Sequence, residues 1–526
     1  MSEENKKIKV AVWLLVGTIL VVGIFLRTYN FHDWLRFNAD QGRDAEIISE
    51  VLEGTQAWPL LGPKAGGTTF QLGPIFYYFQ IASAKVFGNA PDKMAYPDLL
   101  AGILAIPLLF LFLRKYFEVK ISFALSSVFA LSQFAIRWAR FAWNPNSTPF
   151  WVLLFLYALH EIIIKKDNRK FLWSLVAGLT VGIGVQLHTM LLLAMPITLF
   201  VLGGYLLIKK EKTWRYFLVI FALALVFNIP QMMSEYTSRG ANMAAFFGGI
   251  ATKEENQHSM VENFVQGNSS VAQIVPNILG GYEVGDNFKL SFDGKHNLDV
   301  LISMLGGLLT LSGLVLGIVY FKKEKSEDRK LFLMILAVYV GVLYLLFIKL
   351  AFTISVRMYL VLFFGPFFLL GFWLQFLKEK WASAWNFILL ATVLLLIFSN
   401  LFFVKKYFEE FDGYYKGVGS VDIATLGEME RFSKFIISAS AGQEVAYVGG
   451  DKKFLFVSSR SINYLIKRAG LDLNMIGSNE IGQAKLAKFF YIVRENKLDN
   501  FDNDPNYVVT KQETYGKFSI LRLEKK

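Results

Sequence analysis

Cysteine is absent from the 526-residue chain. Its absence excludes structural disulfides, cysteine nucleophiles and thiolate-bound metals, so redox chemistry at cysteine plays no part here. The sequence also lacks internal repeats and low-complexity tracts, and it contains neither a phosphate-binding Walker loop nor a dinucleotide fingerprint after a predicted strand. The common folds that bind nucleotides through such loops are therefore excluded.

Apolar side chains are what the sequence has in excess. Hydrophobic residues make up 54% of the chain, which includes 50 Phe, 22 Tyr and 11 Trp, and the mean hydropathy is +0.42. These values lie outside the usual balance of soluble globular domains, so we interpret the chain as an integral membrane protein. The net charge of +12 then reports on membrane topology and not on nucleic acid, because the basic residues lie in short connections between apolar segments.

Long apolar segments recur along the chain, each able to cross roughly 30 Å of hydrocarbon as a helix. The eleven segments are residues 10–26, 96–113, 121–138, 148–164, 171–187, 189–208, 216–233, 298–321, 331–350, 359–377 and 385–404. We therefore predict an all-α polytopic membrane bundle of about 11 transmembrane helices. The further apolar stretch 73–88 would reverse the orientation of every later segment if it crossed the membrane, so we predict a surface helix there.

Basic residues are concentrated in alternate connections of this bundle. Every second connection carries Lys or Arg, starting from a basic N-terminus, whereas the short connections between them are almost free of both. Because basic loops stay on the cytoplasmic side, we predict a multi-pass protein of the cell (plasma or inner) membrane. Its N-terminus is expected to be cytoplasmic and its C-terminus extracytoplasmic.

This topology divides the chain into two predicted domains. Residues 1–404 form the transmembrane domain, with external loops at 27–95 and 234–297, and residues 405–526 form a small extracytoplasmic α/β domain. The second domain is predicted from strand-like runs that alternate with a helix-like run over about 110 residues, a common domain size. Only these external regions are large enough to hold a site.

Charged residues crowd the first external loop in the stretch FNADQGRDAE, residues 37–46. A carboxylate this close to hydrocarbon is costly and is rarely retained without a partner or a task. We predict an amphipathic surface helix over 43–53 and place Asp40 just before it, at the mouth of the bundle. The aromatic-rich stretch 73–88 is predicted as the second surface helix.

Cations on the external side are informative because the topology rule depletes them there. Arg137 and Arg140 flank one external turn, Lys349 ends the ninth predicted span, and Arg357 opens the tenth. Each of them could instead extend to lipid head groups. Four cations that converge with Arg43 on one face are better explained by a bound phosphate.

His188 lies in the short turn QLHT between the fifth and sixth predicted spans. The two spans leave almost no loop, so this turn must lie at or below the outer interface and the histidine must be half buried. Two roles fit it: a hydrogen bond to a neighbouring carbonyl group, or contact with a substrate or a metal.

The external position of the site limits its chemistry. Nucleotides are scarce there, so an activated donor has to be carried by a lipid, and a sugar on a polyprenyl phosphate fits. A phosphate leaves readily when cations hold its developing charge, so one carboxylate suffices to take the proton from the attacking acceptor. We predict Asp40 as this general base, with Arg43 and Asp44 orienting it or contacting substrate. Alternatively, both aspartates only cap the surface helix and pair with Arg43.

Several motifs give the whole chain a resemblance to a known superfamily. With the order of spans, surface helices and external tail, they resemble the GT-C superfamily of polytopic membrane glycosyltransferases. Within it, the resemblance is to the protein O-mannosyltransferase and lipid A aminoarabinose transferase group, families 39 and 83. The motifs are ADQGRDA (39–45), LGPIFYY (72–78), RFAWNP (140–145), QLH (186–188) and VRMYL (356–360).

The resemblance implies an inverting single displacement from a polyprenyl-phosphate sugar, with the acidic residue of the first loop as the catalytic group. The matching residue here is Asp40, and Tyr359 joins Arg357 in the substrate-binding set through the motif VRMYL. Relatives often carry Asp-Glu at the first position, whereas this chain has Asp40 and Gln41, which puts a second carboxylate in doubt. No obligatory cofactor is expected, although some relatives have been associated with a divalent metal.

The acceptor is predicted only by class. A protein, a lipid A-like glycolipid or another envelope glycan fits, and residues 234–297 are the predicted acceptor-recognition or lid segment. No nucleic acid partner is expected. The alternative function is a transporter or flippase of lipid-linked saccharide, which would also suit a bundle of this kind. Ionisable residues crowd the outer rim instead of the span interiors, which favours the enzyme.

Overall fold

The computed structural model of the chain describes residues 17–164, 169–254, 258–283, 297–411, 423–440, 445–450, 452–476, 489–495, 507–515 and 518–526. The helices, in chain order, are α1 (Gly17–Thr28), α2 (Ala39–Glu53), α3 (Ile75–Phe87), α4 (Pro91–Met94), α5 (Tyr96–Leu113), α6 (Val119–Ala130), α7 (Gln133–Trp138), α8 (Thr148–Ile164), α9 (Arg169–Leu187), α10 (Thr189–Ile208), α11 (Arg215–Phe227), α12 (Ile229–Thr237), α13 (Ala241–Glu254), α14 (Met260–Gly280), α15 (Asn297–Lys323), α16 (Glu327–Lys349), α17 (Gly365–Lys380), α18 (Trp385–Glu409), α19 (Leu426–Ala439) and α20 (Lys452–Lys467). The strands are β1 (Val445–Gly450), β2 (Asp472–Ile476), β3 (Phe489–Glu495), β4 (Tyr507–Tyr515) and β5 (Phe518–Lys525). Short 3-10 helices lie at Lys212–Trp214, Ala351–Thr353 and Val356–Leu362.

Within these ranges, six helices are long and apolar enough to cross a membrane, namely α5, α9, α10, α15, α16 and α18. Two further candidates are bent, because α11 meets α12 at 59° and the 3-10 helix Val356–Leu362 meets α17 at 57°. The shorter apolar helices α1, α6 and α8 fall on the remaining predicted spans. Each predicted span thus has a helical counterpart, while the number that cross the membrane stays a prediction.

Ion pairs join the helix ends where the basic connections lie. Lys115, just after α5, pairs with Glu161 of α8. Lys378 of α17 pairs with Glu118, just before α6. Each pair links two different helices, so the charges of this predicted inner face hold the bundle together.

Helix α2 begins earlier than the sequence pattern predicted. The expected start was Arg43, whereas the helix begins at Ala39, so Asp40 lies inside its first turn. The N-cap is Asn38, whose backbone N–H donates to Gln41 Oε1 at 3.1 Å within a capping box. Such a cap satisfies helix N–H groups that would otherwise have no partner. An aspartate cap, one of the alternative roles considered for Asp40, is therefore wrong.

Helix α3 corresponds to the predicted surface helix over 73–88. Its 13 residues span about 20 Å at 1.5 Å each, which is too short for the hydrocarbon core. Ile75, Tyr77 and Ile81 are buried against the rest of the protein, whereas Val86 and Phe87 are exposed. The helix therefore packs along the bundle, and its location at the membrane surface stays a prediction.

Residues 234–297, predicted as an external loop, contain the helices α13 and α14. Helix α14 packs against α15, α16 and α18. A Cβ atom on Gly306 of α15 would lie 2.2 Å from the Ala272 carbonyl oxygen, and Asn400 of α18 donates to the Leu279 carbonyl at 2.6 Å. The predicted lid segment thus contains a helix packed into the bundle, and its residues 255–257 and 284–296, including Glu255, lie outside the described residues.

The C-terminal part of the chain contains a mixed sheet with the strand order β2-β1-β3-β5-β4. Strand β1 is parallel to β2 and β3, whereas β5 is antiparallel to β3 and β4. The predicted strand-like runs correspond to β1, β3, β4 and β5, and the predicted helix-like run lies in α20. Helix α20 packs on α2 and α19, which brings this part of the chain against the first external loop. The domain boundary at residue 405 stays a prediction.

Candidate active site

Three charged side chains of α2 form one cluster. Arg43 Nη1 donates to Asp40 Oδ1 at 3.0 Å, and Arg43 Nε and Nη2 donate to Asp44 Oδ1 at 2.9 and 2.7 Å. Residues three positions apart face each other on a helix, so Arg43 reaches back to Asp40. The Asp40 side chain is 54% exposed and that of Asp44 only 2%. The Arg43 guanidinium group thus contacts both an exposed carboxylate, Asp40, and a buried one, Asp44.

Asp44 is the buried anchor of this cluster. The Tyr77 hydroxyl of α3 donates to Asp44 Oδ1 at 3.1 Å, while the buried Oδ2 atom has no hydrogen-bond partner among the described residues. Burial raises the pKa of Asp44 to about 6, and the adjacent Arg43 opposes the rise. Above that pH the ionised carboxylate fixes Arg43, which in turn contacts Asp40.

Gln41 occupies the position where relatives often carry a glutamate. Its Oε1 atom accepts from the Asn38 N–H, and its Nε2 donates to the Ala142 carbonyl at 3.1 Å. An ionised carboxylate accepts hydrogen bonds but donates none. The amide is therefore what allows this residue to cap α2 and also bind the loop that contains Ala142.

That loop, residues 139–147 between α7 and α8, is the centre of the site, and we refer to it as the hub loop. Asp98 of α5 accepts from the Trp143 N–H at 3.1 Å, and Asn144 Nδ2 donates to the Leu187 carbonyl at 2.6 Å. The Trp143 ring stacks on Trp138 at 5.7 Å. Since α2, α5 and the end of α9 each bind a different residue of the hub loop, their relative positions are fixed.

Arg357 lies against the hub loop as well. Its guanidinium carbon is 5.3 Å from the centre of the Trp143 ring, within the range of a cation–π interaction. A Cβ atom on Gly66 would come within 2.5 Å of Arg357 Nη2, so the first external loop packs closely over the guanidinium group. The predicted cation is thus enclosed by an aromatic ring and by loop backbone.

His188 caps α10 in the single-residue turn between α9 and α10. Its Nδ1 atom accepts from the Met190 N–H at 3.1 Å, so the expected bond to a carbonyl is replaced by a bond from an N–H group. The residue is 5% exposed and thus buried, not half buried as predicted. Burial, followed by the charge of Arg357, lowers the pKa of His188 to about 3. The imidazole is therefore neutral, with its proton on Nε2 as a hydrogen-bond donor.

Arg140 and Arg137 form a separate group. Arg140 is 1% exposed and donates to three backbone carbonyl oxygens within 26–29 at distances of 2.7 to 3.0 Å. Its guanidinium carbon also lies 5.0 Å from the Phe408 ring of α18. Arg137 pairs with Glu283. Arg140 thus joins α1, the hub loop and α18, and Arg137 joins α7 to the residue Glu283 after α14. We therefore leave both arginines out of the proposed phosphate site, and their predicted contact with the donor stays a prediction.

The last two predicted residues lie at and beyond the outer end of α16. Lys349 is exposed at the end of that helix. Tyr359 is buried in the 3-10 helix that also carries Arg357, and its hydroxyl donates to Gln273 Oε1 of α14 at 3.3 Å. Tyr359 therefore holds the segment that carries Arg357, and its predicted contact with substrate stays a prediction, as does that of Lys349.

Sequence reasoning missed the residues that hold the site together. Tyr77 binds Asp44, Trp143 lies against Arg357, and Asp98 holds the backbone of Trp143. Gln186 Oε1 accepts from the Ile75 N–H at 3.2 Å, which fixes the start of α3. Each of them lies within a few residues of the end of an apolar segment. A polar or aromatic side chain at such a position was the available signal, but it does not identify the partner.

Metal binding was left open from the sequence. Among the residues that the structure describes, no three His, Cys, Asp or Glu side chains come together in a group that could hold a metal ion. The exposed carboxylate of Asp40 is also paired with the guanidinium group of Arg43, and this positive charge disfavours a divalent cation. The site does not fit a metal centre, and the expected lack of an obligatory cofactor stays a prediction.

Comparison with known proteins finds sequence relatives for part of the chain. Residues 71–232 match the family described as dolichyl-phosphate-mannose-protein mannosyltransferase. YkcB of Bacillus subtilis (strain 168), a mannosyltransferase by name, is 26% identical over 212 residues. That match covers 40% of this chain and 28% of the length of YkcB.

Solved structures extend the likeness to the whole chain. ArnT from Cupriavidus metallidurans, in its crystal structure bound to undecaprenyl phosphate, is 11% identical with a TM-score of 0.57, and the match covers 97% of this chain and 98% of ArnT. The apo structure of the same protein gives 12% identity and a TM-score of 0.56. At these identities the likeness shows the fold alone, and it confirms the predicted polytopic helical membrane bundle.

Proposed function

We propose, from the premise that this chain is a multi-pass membrane protein of the GT-C fold, that it is a glycosyltransferase acting on the extracytoplasmic side. It takes a sugar from a polyprenyl-phosphate donor and passes it to an acceptor with inversion, in a single displacement. The family match over 71–232 and the undecaprenyl phosphate bound to ArnT support a lipid-linked donor. The observation that carries the proposal is the hub loop, which binds the helix of Asp40 through Ala142 and contacts Arg357 through Trp143.

Asp40 is the general base of this reaction. The acceptor hydroxyl or amine attacks the anomeric carbon, and its proton passes to the Asp40 carboxylate as the new bond forms. The bond between the anomeric carbon and the phosphate oxygen breaks, and its electron pair stays on the phosphate. Arg43, which the buried Asp44 fixes, orients the carboxylate toward the acceptor.

Arg357 and His188 hold the donor phosphate. The guanidinium group supplies a permanent positive charge, and the neutral imidazole donates a hydrogen bond from Nε2. Trp143 supports Arg357, and the cap on Met190 fixes His188, so both donors are in place before charge develops on the leaving phosphate. Preorganised donors of this kind are the ones that stabilise a transition state most.

The arrangement of the charges supports the outer location of the site. The pairs Lys115–Glu161 and Lys378–Glu118 occupy the face with the basic connections, and Asp40 and Arg357 lie at the opposite ends of the helices. If the basic connections are cytoplasmic, as the topology rule predicts, the reaction takes place outside. The acceptor is a protein, a glycolipid or another envelope glycan.

Donor consumption by the purified full-length protein tests this proposal. The protein is reconstituted in vesicles with polyprenyl-phosphate sugars of several kinds and with a membrane extract as the source of acceptors. Sugar transfer releases free polyprenyl phosphate, which mass spectrometry measures. Release that depends on the protein supports the proposal. Movement of intact donor from one leaflet to the other, without release, contradicts it and favours a flippase.

A further inference from the structure

Helix α20, near the other end of the chain, lies directly on the first turns of α2. Ser461 Oγ is 2.7 Å from the Phe37 carbonyl oxygen and 2.8 Å from that of Asn38. Gly42 permits this approach, because a Cβ atom there would come within 2.5 Å of Ser461 N and 2.8 Å of the Arg460 carbonyl carbon. These are backbone atoms, so a side chain at Gly42 could be admitted only by moving α20.

Polar contacts continue along the same side of α2. The Ser49 and Tyr464 hydroxyls are 3.1 Å apart. Lys467 Nζ lies 2.9 Å from a carboxylate oxygen of Glu46 and 3.4 Å from one of Glu50. Helix α20 is therefore bound to α2 over most of the length of α2.

The segment before α2 is held by the start of the C-terminal part. The Phe37 N–H donates to the Ala424 carbonyl at 2.8 Å, and the Leu426 N–H donates to the Leu35 carbonyl at 2.8 Å. The Ala424 N–H donates to Asn38 Oδ1 at 2.9 Å. The residue that caps α2 thus has its side chain fixed from the C-terminal part of the chain.

We infer that the C-terminal part of the chain is a working component of the active site, in which α20 positions α2 so that Asp40 faces the donor. Ser461 is the positioning residue, and Gly42 sets the distance between the two helices. The inference rests on the proposed function and deepens it. Asp40 and Gly42 are two positions apart, so they point about 200° apart around the helix. A displacement of α20 is therefore transmitted across α2 to the carboxylate.

Gly42→Ala is the direct test, because its new Cβ atom must push the backbone of α20 away by about 1 Å to reach an ordinary contact distance. A misplacement of about 1 Å costs roughly 100-fold in rate, so we expect kcat to fall by that factor. The Kd for polyprenyl phosphate should stay unchanged, because Arg357 and His188 are held by other elements. Ser461→Ala removes the Oγ contacts without crowding and should lower kcat about fivefold.

The matched control is Gly341→Ala in α16, where a Cβ atom meets nothing within 4 Å. It should keep the wild-type kcat and Kd. A folded Gly42→Ala protein with wild-type kcat would overturn the inference. Equal losses of kcat and donor affinity, together with a lower Tm, would also overturn it, because that pattern indicates a purely structural role.

Cross-linking tests the contact without relying on turnover. The chain has no cysteine, so Glu46→Cys combined with Lys467→Cys gives one pair for a short bismaleimide. We expect efficient cross-linking and full activity of the cross-linked protein. Failure to cross-link, or an inactive cross-linked protein, would overturn the inference, since α20 would then be absent from α2 or would have to leave it. If the wild-type protein consumes no donor, the proposed function fails, and the cross-linking yield alone decides whether α20 holds α2.

Discussion

The predicted inner and outer faces of the bundle use charge in different ways. On the inner face, Glu161 pairs with Lys115, and both side chains are at least four-fifths buried, at 5% and 19% exposure. On the outer face, Asp40 contacts Arg43 but shares it with Asp44, and the Asp40 side chain remains 54% exposed. The Lys115–Glu161 pair is thus enclosed between helices, whereas Asp40 stays an exposed carboxylate beside a cation.

This difference indicates what each charge is for. A buried pair between helix ends fixes the packing of the bundle, since separating it would leave an uncompensated charge. An exposed pair contributes at most about 1 kcal/mol to stability. Stability alone therefore does not account for an exposed carboxylate at this place, whereas the proposed role of Asp40 as the general base does. The predictions that follow test this contrast.

Asp40→Asn should have the largest effect. The amide keeps the shape of the side chain but cannot take a proton, so we expect kcat to fall by about 10² to 10⁴ with the Kd for polyprenyl phosphate unchanged. Turnover at saturating donor gives kcat, and an equilibrium binding titration with polyprenyl phosphate gives Kd. The control is Glu118→Gln on the inner face, which should keep kcat. Wild-type kcat in Asp40→Asn would remove the contrast between the faces.

Arg357→Ala should have the next largest effect. Loss of a charge that stabilises the leaving phosphate is expected to lower kcat by about 10² to 10³ and to weaken binding of polyprenyl phosphate. Lys349→Ala is the comparison, because Lys349 is also a predicted phosphate contact but lies exposed at the end of α16, and we expect it to lower kcat less than Arg357→Ala does. If Lys349→Ala weakens donor binding as much as Arg357→Ala does, the phosphate site lies elsewhere on the outer face.

Glu161→Gln should affect stability and not catalysis. It leaves Lys115 largely buried without its counter-charge, which costs about 3 kcal/mol. We expect a lower Tm in detergent and an unchanged kcat per folded molecule. Glu409→Gln breaks the more exposed Lys405–Glu409 pair and should cost less than about 1 kcal/mol. A Glu161→Gln protein of normal Tm but reduced kcat would contradict a purely structural inner face.

The pH dependence should show the smallest effect. Because the pKa of Asp44 is raised to about 6, its charge is present above that pH and is lost as the pH falls through it. Loss of the charge loosens Arg43, so we expect kcat to drop about fivefold on the acid side. Tyr77→Phe removes a hydrogen bond that favours the ionised form, so it should move the inflection to higher pH. An unmoved inflection in Tyr77→Phe would show that another group titrates.

The order of the helices could be predicted because apolar run length and the bias of basic loops act locally. The roles of the external cations could not. Arg140 and Arg357 satisfy the same rule in the sequence. In the fold, Arg140 binds the backbone of Arg27, 113 residues earlier, whereas Arg357 lies on Trp143. The contacts of each cation are made with residues far away in the sequence, which no local pattern specifies.

The first residue of α2 and the packing of α20 on this helix were also beyond prediction from local sequence patterns. The pattern of apolar residues pointed to Arg43, but the capping box of Asn38 and Gln41 starts the helix at Ala39. The strand-like and helix-like runs of the tail were predicted from the sequence. The contact of α20 with the site was not, because it depends on the close approach at Gly42. A glycine in a surface helix gives no sign of its partner in the sequence.

A structure of the full-length protein with polyprenyl phosphate bound tests the central claim most directly. We predict that the phosphate lies within hydrogen-bond distance, about 3 Å, of Arg357 and of His188 Nε2. The Asp40 carboxylate should face the same space. A phosphate bound at Arg137 or Lys349, with Asp40 turned away from it, would contradict the claim that these residues serve one reaction.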